Sequence, residues 1–214
     1  MLEEGEWQEV MNAYGHCERH RPGSAPHAAR HDVTIERRVQ SMTSRFRCAT
    51  CGEEHDLNDL EPSYNRPDAY FDVPAAEREH RTSFGSSSGR IRDAEDVERR
   101  HFLRVLMPIP VRGEEQPCSW GVWVEVSGWA WNRTKELWDA PDQHEEPAFP
   151  GVLANTLKGY EGTIGLSGMV QLTGPETVPD FILDPDVDHA IAREQREGVY
   201  LERVYEWLGG HHPA

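Results

Sequence analysis

The chain has 214 residues, of which 37% are hydrophobic; this is enough for one domain with a core and too little for two independent catalytic lobes. Its formal net charge of -16 disfavours nucleic-acid binding, because affinity for a phosphate backbone depends on Lys and Arg. The sequence has neither a run of roughly 18 apolar residues nor the pattern of a secretory signal, so it predicts a cytoplasmic protein without membrane contacts.

Residues 1–44 lack a periodic apolar pattern and are rich in His, Pro and Arg, which is typical of a flexible extension. A compact polar stretch after Met42 leads into a cysteine motif. Two translation starts therefore stay open, Met1 and Met42, and the second would make the extension a start-site artefact. The sequence predicts one folded domain over residues 45–214.

The first chemical motif is Cys48-x2-Cys51-x3-His55, which combines residue types that bind zinc. A structural zinc site needs a fourth ligand, usually from a second Cys/His cluster, and no such cluster follows in the sequence. Zinc bound by these three residues is one interpretation. Three ligands and a water would instead form an open catalytic site, with Glu53 or Glu54 as a base. The third interpretation is a turn that anchors the first strand.

The middle of the chain predicts a helix followed by a hairpin. Pro74 is expected to start a short helix, because proline is favoured at the first helical positions. The Ser- and Gly-rich stretch Gly85–Gly89 is expected to be a loop. Apolar alternation predicts strands over His101–Val111 and Trp120–Val126. These strands are expected to pair across Arg112–Pro117.

Further elements follow the hairpin. Trp131 and Trp138 lie two turns apart on one face of a predicted helix over Gly128–Trp138, which we expect to pack on the sheet. Strands are predicted over Thr163–Thr173, from alternating apolar residues, and over Phe181–Leu183.

Two helices are predicted at the end of the chain. Asp188 is expected to cap the start of a helix that runs to Glu197 and ends at Gly198, and a last helix is expected over Val199–Leu208. Because the strands are grouped between peripheral helices, the predicted fold class is α+β, with an antiparallel sheet.

The predicted helix after Asp188 also carries a group of polar residues at helical spacing. His189, Arg193, Glu194 and Glu197 lie three, four or eight positions apart, so they can share one face. Such a face could form a ligand or partner surface. The alternative interpretation is a set of surface ion pairs.

Seven motifs follow one another between Phe46 and the last helix: Cys48-x2-Cys51-Gly52-x2-His55, Pro67-Asp-Ala-Tyr-Phe71, Ile109-Pro110-Val111, Trp120-Gly-Val-Trp-Val124, Leu137-Trp138, Gly151-x-Leu153 to Gly159-Tyr160, and Asp188-His-Ala-x-Ala-x-Glu-Gln-Arg-Glu-Gly198. In this order they resemble the bacterial proteins grouped as domain of unknown function 2199. The resemblance implies a small cytoplasmic α+β domain. It implies no catalytic residues, because that family has none assigned.

The leading functional hypothesis is a non-enzymatic module, stabilised by zinc at Cys48, Cys51 and His55, that binds a protein partner. The acidic composition favours a basic partner, met through an acidic surface that bears aromatic residues. The alternative is a metal-dependent enzyme with an open site near the same three ligands, using Glu53, Glu54 or His189.

Overall fold

The computed structural model describes residues 62–95, 98–175 and 177–208, together with the backbone of two short strands before them. None of the helices in these ranges has the length and apolar character that crossing a bilayer requires. The predicted extension over residues 1–44 lies outside the described residues.

The strands are β1 Arg45–Arg47, β2 Glu54–Asp56, β3 Thr82–Phe84, β4 Ser88–Arg92, β5 Arg99–Ile109, β6 Cys118–Val126, β7 Phe149–Leu153, β8 Ser167–Gln171 and β9 Asp180–Leu183. The helices are α1 Asp68–Phe71, α2 Ala75–Arg81, α3 Gly128–Glu136, α4 Ala190–Glu197 and α5 Leu201–Trp207, with a 3-10 turn at Gln143–Glu145.

Five of the strands close into a barrel. Strands β5, β6, β7, β8 and β9 are hydrogen-bonded in that order, and each pair is antiparallel. Strand β9 then returns to β5, where Asp180 pairs with Leu106 in the parallel sense and the Leu106 amide donates to the Pro179 carbonyl at 2.8 Å. The predicted single α+β domain is confirmed, but the prediction of an antiparallel sheet is wrong at this closing pair.

Strands β3 and β4 extend the sheet beside the first half of β5. Strand β4 pairs with β5 from Ser88, opposite Leu103, to Arg92, opposite Arg99. The predicted loop over 85–89 is therefore wrong in extent, because a strand begins at Ser88. Gly89 makes the pairing possible: a Cβ atom there would lie 1.9 Å from the ring of Phe84 on β3.

The central hairpin is confirmed. In the β5–β6 register, Val105 faces Val122 and Met107 faces Trp120, and all four are at most 1% exposed. Burying a large apolar side chain of this kind stabilises the folded state by roughly 2–3 kcal/mol per residue, relative to leaving it exposed. Trp123, on the opposite face of β6, is also buried, at 1% exposed. The hairpin is thus covered on both faces.

The predictions of where the helices begin and end are confirmed in part. Ser127 caps α3, its hydroxyl accepting from the Ala130 amide at 3.1 Å, and Trp131 reaches the core as expected. The prediction that Asp188 caps α4 is wrong. His189 caps it, because its Nδ1 accepts from the Ile191 amide at 3.2 Å.

Three predicted elements are shorter than expected. The helix predicted over Gly128–Trp138 ends at Glu136. Strand β8 starts only at Ser167, because Gly162 and Gly165 adopt positive φ angles of 70° and 86° in the turn before it. Ile164, predicted within the strand, lies in that turn and is 56% exposed. The last helix starts at Leu201, because Val199 forms a bridge to Val111 instead.

Candidate functional site

Strands β1 and β2 flank the cysteines of the predicted metal motif in the sequence. The two strands pair antiparallel, with Phe46 opposite His55. Cys48, Cys51 and Glu53 lie outside the described residues, as do the side chains of His55 and Glu54. Zinc binding here therefore stays a prediction. Elsewhere in the described ranges, no group of three or more His, Cys, Asp or Glu residues is placed to hold a metal ion.

Of the four polar residues predicted to share a face of α4, Glu194 and His189 lie beside the phenol ring of Tyr160. The Tyr160 hydroxyl donates to Glu194 Oε2 and accepts from the Trp207 indole N–H at 2.9 Å. The His189 ring lies 6.2 Å from the Tyr160 ring, and its Nε2 is 2.8 Å from the Glu161 carbonyl oxygen.

The other two residues of that face lie apart from Tyr160. Arg193 forms an ion pair with Asp188 at 2.8 Å, in which both side chains are more than half exposed. Glu197 is exposed, and its backbone carbonyl accepts from the Arg112 guanidinium at 3.2 Å. His189 and Glu194 therefore lie beside Tyr160, whereas Arg193 and Glu197 are exposed to solvent.

The side chains around Tyr160, namely Glu194, Arg203 and Trp207, form one cluster with it. Arg203 donates to Glu194 Oε1 at 3.1 Å and to Glu206 at 2.6 Å, and its guanidinium lies 5.2 Å from the Tyr160 ring centre. Burial, aided by the hydrogen bond to Glu194, raises the pKa of Tyr160, so the phenol stays protonated at neutral pH. The cluster joins α4, α5 and the turn at Tyr160 through hydrogen bonds among its own side chains.

The motif Pro67–Phe71 has a similar structural role. Asn155 is fully buried; its Oδ1 accepts from the Trp123 amide at 2.8 Å and its Nδ2 donates to the Arg66 carbonyl at 2.9 Å. Asp68 accepts from Asn155 at 3.1 Å and from the Thr156 amide at 3.0 Å. These bonds fasten α1 to the barrel and leave no carboxylate free for chemistry at this point.

An apolar surface lies on the outer face of the barrel. Cross-strand register aligns Pro150 on β7, Met169 on β8 and Ile182 on β9 in one row. Met169 is 37% exposed and Ile182 is 46% exposed. We call Pro150, Met169 and Ile182 the outer apolar row.

The outer apolar row ends at a cavity of about 440 Å³, which Ile182 also lines. Pro108, Pro110 and Pro117 supply further apolar walls, and the exposed carboxylates of Glu114 and Glu115 stand at its edge. The cavity lies between the β5–β6 loop, β9 and α4. Its size and lining suit one or two apolar side chains of a ligand or partner.

A half-buried carboxylate lies beside this surface. Asp180 and Ile182 are two positions apart on β9, so their side chains share the outer face. Burial raises the pKa of Asp180, since the carboxylate loses hydration. A cation brought by a partner would stabilise the ionised form of Asp180.

Sequence reasoning missed this surface. Met169 and Ile182 belong to predicted strands, but period-two alternation does not show which face another element covers. The available signal was Pro150 within the short strand β7, because proline inside a strand favours an edge or a bulge.

A family model described as "Uncharacterized protein conserved in bacteria (DUF2199)" matches residues 47–199. This range includes all five barrel strands, α3 and α4. No curated protein and no solved structure matches the chain.

Proposed function

We propose that this chain, which belongs to the bacterial family called domain of unknown function 2199, is a non-enzymatic module that binds a basic protein partner. The outer apolar row and its cavity form the contact. The observation that carries the proposal is the exposure of Met169 and Ile182 side by side in the middle of a sheet face.

The apolar part of the surface supports a protein partner. Single exposed apolar side chains are ordinary, but a row that continues into a cavity marks a contact surface. A separate exposed aromatic side chain is Trp129, which is 63% exposed and whose ring lies 6.5 Å from that of the buried Phe149. Exposed tryptophans are enriched among residues that dominate binding energy.

The charge of the surface supports a basic partner. Glu114, Glu115 and Arg196 line the cavity, and Asp180 lies on the strand that carries Ile182, so carboxylates outnumber cations at this surface. The whole chain has a formal net charge of -16, which attracts basic proteins over longer distances. Such attraction raises association rates and favours partners with a net positive charge.

The proposal includes zinc at Cys48, Cys51 and His55. Strands β1 and β2 have three residues each, and a hairpin of this size is marginally stable in water. Both cysteines lie in the segment that joins the strands, and His55 belongs to β2, so a bound zinc ion would stabilise the hairpin. The proposal places the protein in the cytoplasm, where such thiols stay reduced.

The partner surface can be tested with a displayed library of random peptides, selected on the purified full chain. We expect the selected peptides to combine Lys or Arg with large apolar residues. Ile182→Asp should weaken their binding by about a hundredfold, because it places a charge in the apolar contact. Arg193→Asp, in an exposed ion pair outside the cavity lining, is the matched control and should change the affinity less than about twofold.

Two outcomes would contradict the proposal. Peptides whose affinity is the same for the wild type and for Ile182→Asp would show that they bind elsewhere. Concentration-dependent dimerisation that Ile182→Asp abolishes, seen by analytical ultracentrifugation, would mean that a second copy of the chain occupies the surface.

Zinc binding is tested separately, by metal analysis of protein purified under reducing conditions without chelators. We expect about one zinc ion per chain, and its loss in Cys48→Ser and Cys51→Ser. Cys118→Ser, at a buried position of β6, is the control and should keep its zinc. Less than about a tenth of an equivalent in the wild type would contradict this part of the proposal.

A further inference from the structure

A second cavity, of about 250 Å³, lies where α2 meets strands β3, β4 and β5. Its lining is strongly basic, although the chain as a whole is acidic. The residues used below are its four arginines, with one histidine and one serine: Arg81, Arg90, Arg92, Arg99, His80 and Ser83.

Strand register explains why these side chains converge. On β4, Arg90 and Arg92 are two positions apart and therefore share a face. Arg92 pairs with Arg99 of β5, and Arg90 pairs with Ser83 of β3. Three guanidinium groups and one hydroxyl thus project from the same side of three adjacent strands.

The lining concentrates positive charge on a small area. Like charges directly opposite each other on paired strands destabilise the sheet, and Arg92 and Arg99 are such a pair. Within the described ranges, neither Arg90 nor Arg99 forms an ion pair. Burial, reinforced by the charges of Arg90 and Arg99, lowers the pKa of the neighbouring His101, as expected beside concentrated positive charge.

Several contacts hold the cationic groups in place. Arg92 donates to the His80 carbonyl, and Arg81 donates to the Arg92 carbonyl at 3.1 Å. The Arg90 guanidinium lies 4.9 Å from the ring centre of Trp131 on α3. Arginines fixed in this way lose little further conformational freedom when they bind a ligand, which favours bidentate contacts to an oxyanion.

We propose that this cavity binds the phosphate group of a small phosphorylated molecule. The guanidinium groups of Arg90 and Arg99 contact the phosphate oxygens, and the Ser83 hydroxyl donates a further hydrogen bond. The volume of about 250 Å³ favours a small ligand. A nucleic-acid strand would need an extended basic surface, which a chain with a net charge of -16 opposes. The site is independent of the outer apolar row.

The experiment is calorimetric titration of the full chain with inorganic pyrophosphate and, separately, with inorganic phosphate, at low salt and neutral pH. We expect pyrophosphate to bind with one site per chain. Arg99→Gln should weaken it about tenfold or more, because a charge-assisted contact is lost. Arg193→Gln, which removes another exposed arginine outside the cavity lining, should leave the affinity unchanged.

A second readout is the indole N–H of Trp131 in nitrogen-edited NMR spectra. This group is buried and has no hydrogen-bond partner among the described residues, and its ring lies under Arg90. Its resonance should shift on titration in the wild type and much less in Arg90→Gln. Unchanged stability of Arg99→Gln in urea would show that lost binding is not lost folding.

Three results would overturn the proposal. The first is no saturable binding of pyrophosphate by the wild type at millimolar concentration. The second is equal weakening by Arg99→Gln and Arg193→Gln, which would indicate a general effect of charge. The third is binding only to a single-stranded oligonucleotide, or only to phosphatidylcholine vesicles that contain phosphatidic acid, with no binding of pyrophosphate.

Discussion

The hydroxyl of Tyr160 accepts a hydrogen bond from the indole of Trp207 at 2.9 Å, which ties the last described helix to the turn before β8. The same hydroxyl donates to Glu194. Tyr160→Phe removes both bonds, so the buried indole N–H of Trp207 loses its acceptor and Glu194 keeps only its bond from Arg203. We expect it to lower the free energy of unfolding by about 2 kcal/mol, measured by urea denaturation.

The matched control for this change is Tyr200→Phe. Tyr200 is 62% exposed, and its hydroxyl accepts only an exposed bond from Arg112 at 3.2 Å. Its loss should change the free energy of unfolding by less than about 0.5 kcal/mol. Equal effects of the two substitutions would mean that the Tyr160 cluster does not stabilise the fold.

Asn155→Ala should destabilise the protein more than any ordinary surface change. The buried amide of Trp123 loses its acceptor and the Arg66 carbonyl loses its donor, so we expect a loss of about 3 kcal/mol in urea. Asn132→Ala, at an exposed position of α3, is the control, with an expected change below about 0.5 kcal/mol. A loss below about 1 kcal/mol for Asn155→Ala would contradict the role given to this side chain.

Gly168→Ala tests how tightly β8 and β9 approach. A Cβ atom at Gly168 would lie 2.4 Å from the Ile182 carbonyl oxygen and 2.7 Å from the Phe181 ring, so backbone must move. We expect a loss of about 2–3 kcal/mol, measured as a lower midpoint of thermal unfolding. At Gly85 the nearest atom to an added Cβ is 3.8 Å away, and Gly85→Ala should be nearly neutral.

Asp180→Asn tests the pH dependence that burial creates. Because burial raises the pKa of Asp180 above its ordinary value of 3.8, the folded state binds the proton more tightly than the unfolded state. This contribution to stability is complete below the ordinary value and is lost as pH rises through the raised one. Asp180→Asn should therefore be more stable than the wild type at pH 7, with the advantage fading towards about pH 3. Urea denaturation at several pH values measures this, and a constant difference would contradict it.

The sequence predicted the parts of the fold that depend on local pattern. The β5–β6 hairpin follows from apolar alternation on both sides of a polar turn. The spacing of Trp131 and Trp138 predicts α3, although the helix ends at Glu136, before Trp138. Barrel closure depends on one register, Leu106 opposite Asp180, between strands far apart in the chain. Neither residue carries a pattern that identifies the other as its partner.

The wrong predictions of local structure also have physical reasons. The Ser- and Gly-rich stretch that contains Gly89 has the composition of a loop, but the Phe84 ring needs the space that a missing side chain leaves. Asp188 is the usual choice for a helix cap, yet it pairs with Arg193 while His189 accepts the helix amide. Both outcomes depend on tertiary contacts, which local propensity does not include.

The basic cavity could not be recognised before the structure was known. Arginines are frequent in the chain, so their presence on β4 and β5 carried no signal. Only the register that sets Arg92 opposite Arg99 concentrates them in one place. The metal motif is the opposite case, since its spacing is visible in the sequence.

The indole of Trp120 touches rings from widely separated parts of the chain: Tyr64 at 6.3 Å, Tyr160 at 6.4 Å and Trp207 at 5.4 Å. While the protein is being synthesised, a ribosome that has completed β6 must still make everything up to α5 before this side chain is covered. The nascent hairpin therefore leaves this indole incompletely covered until the helix Leu201–Trp207 has been made.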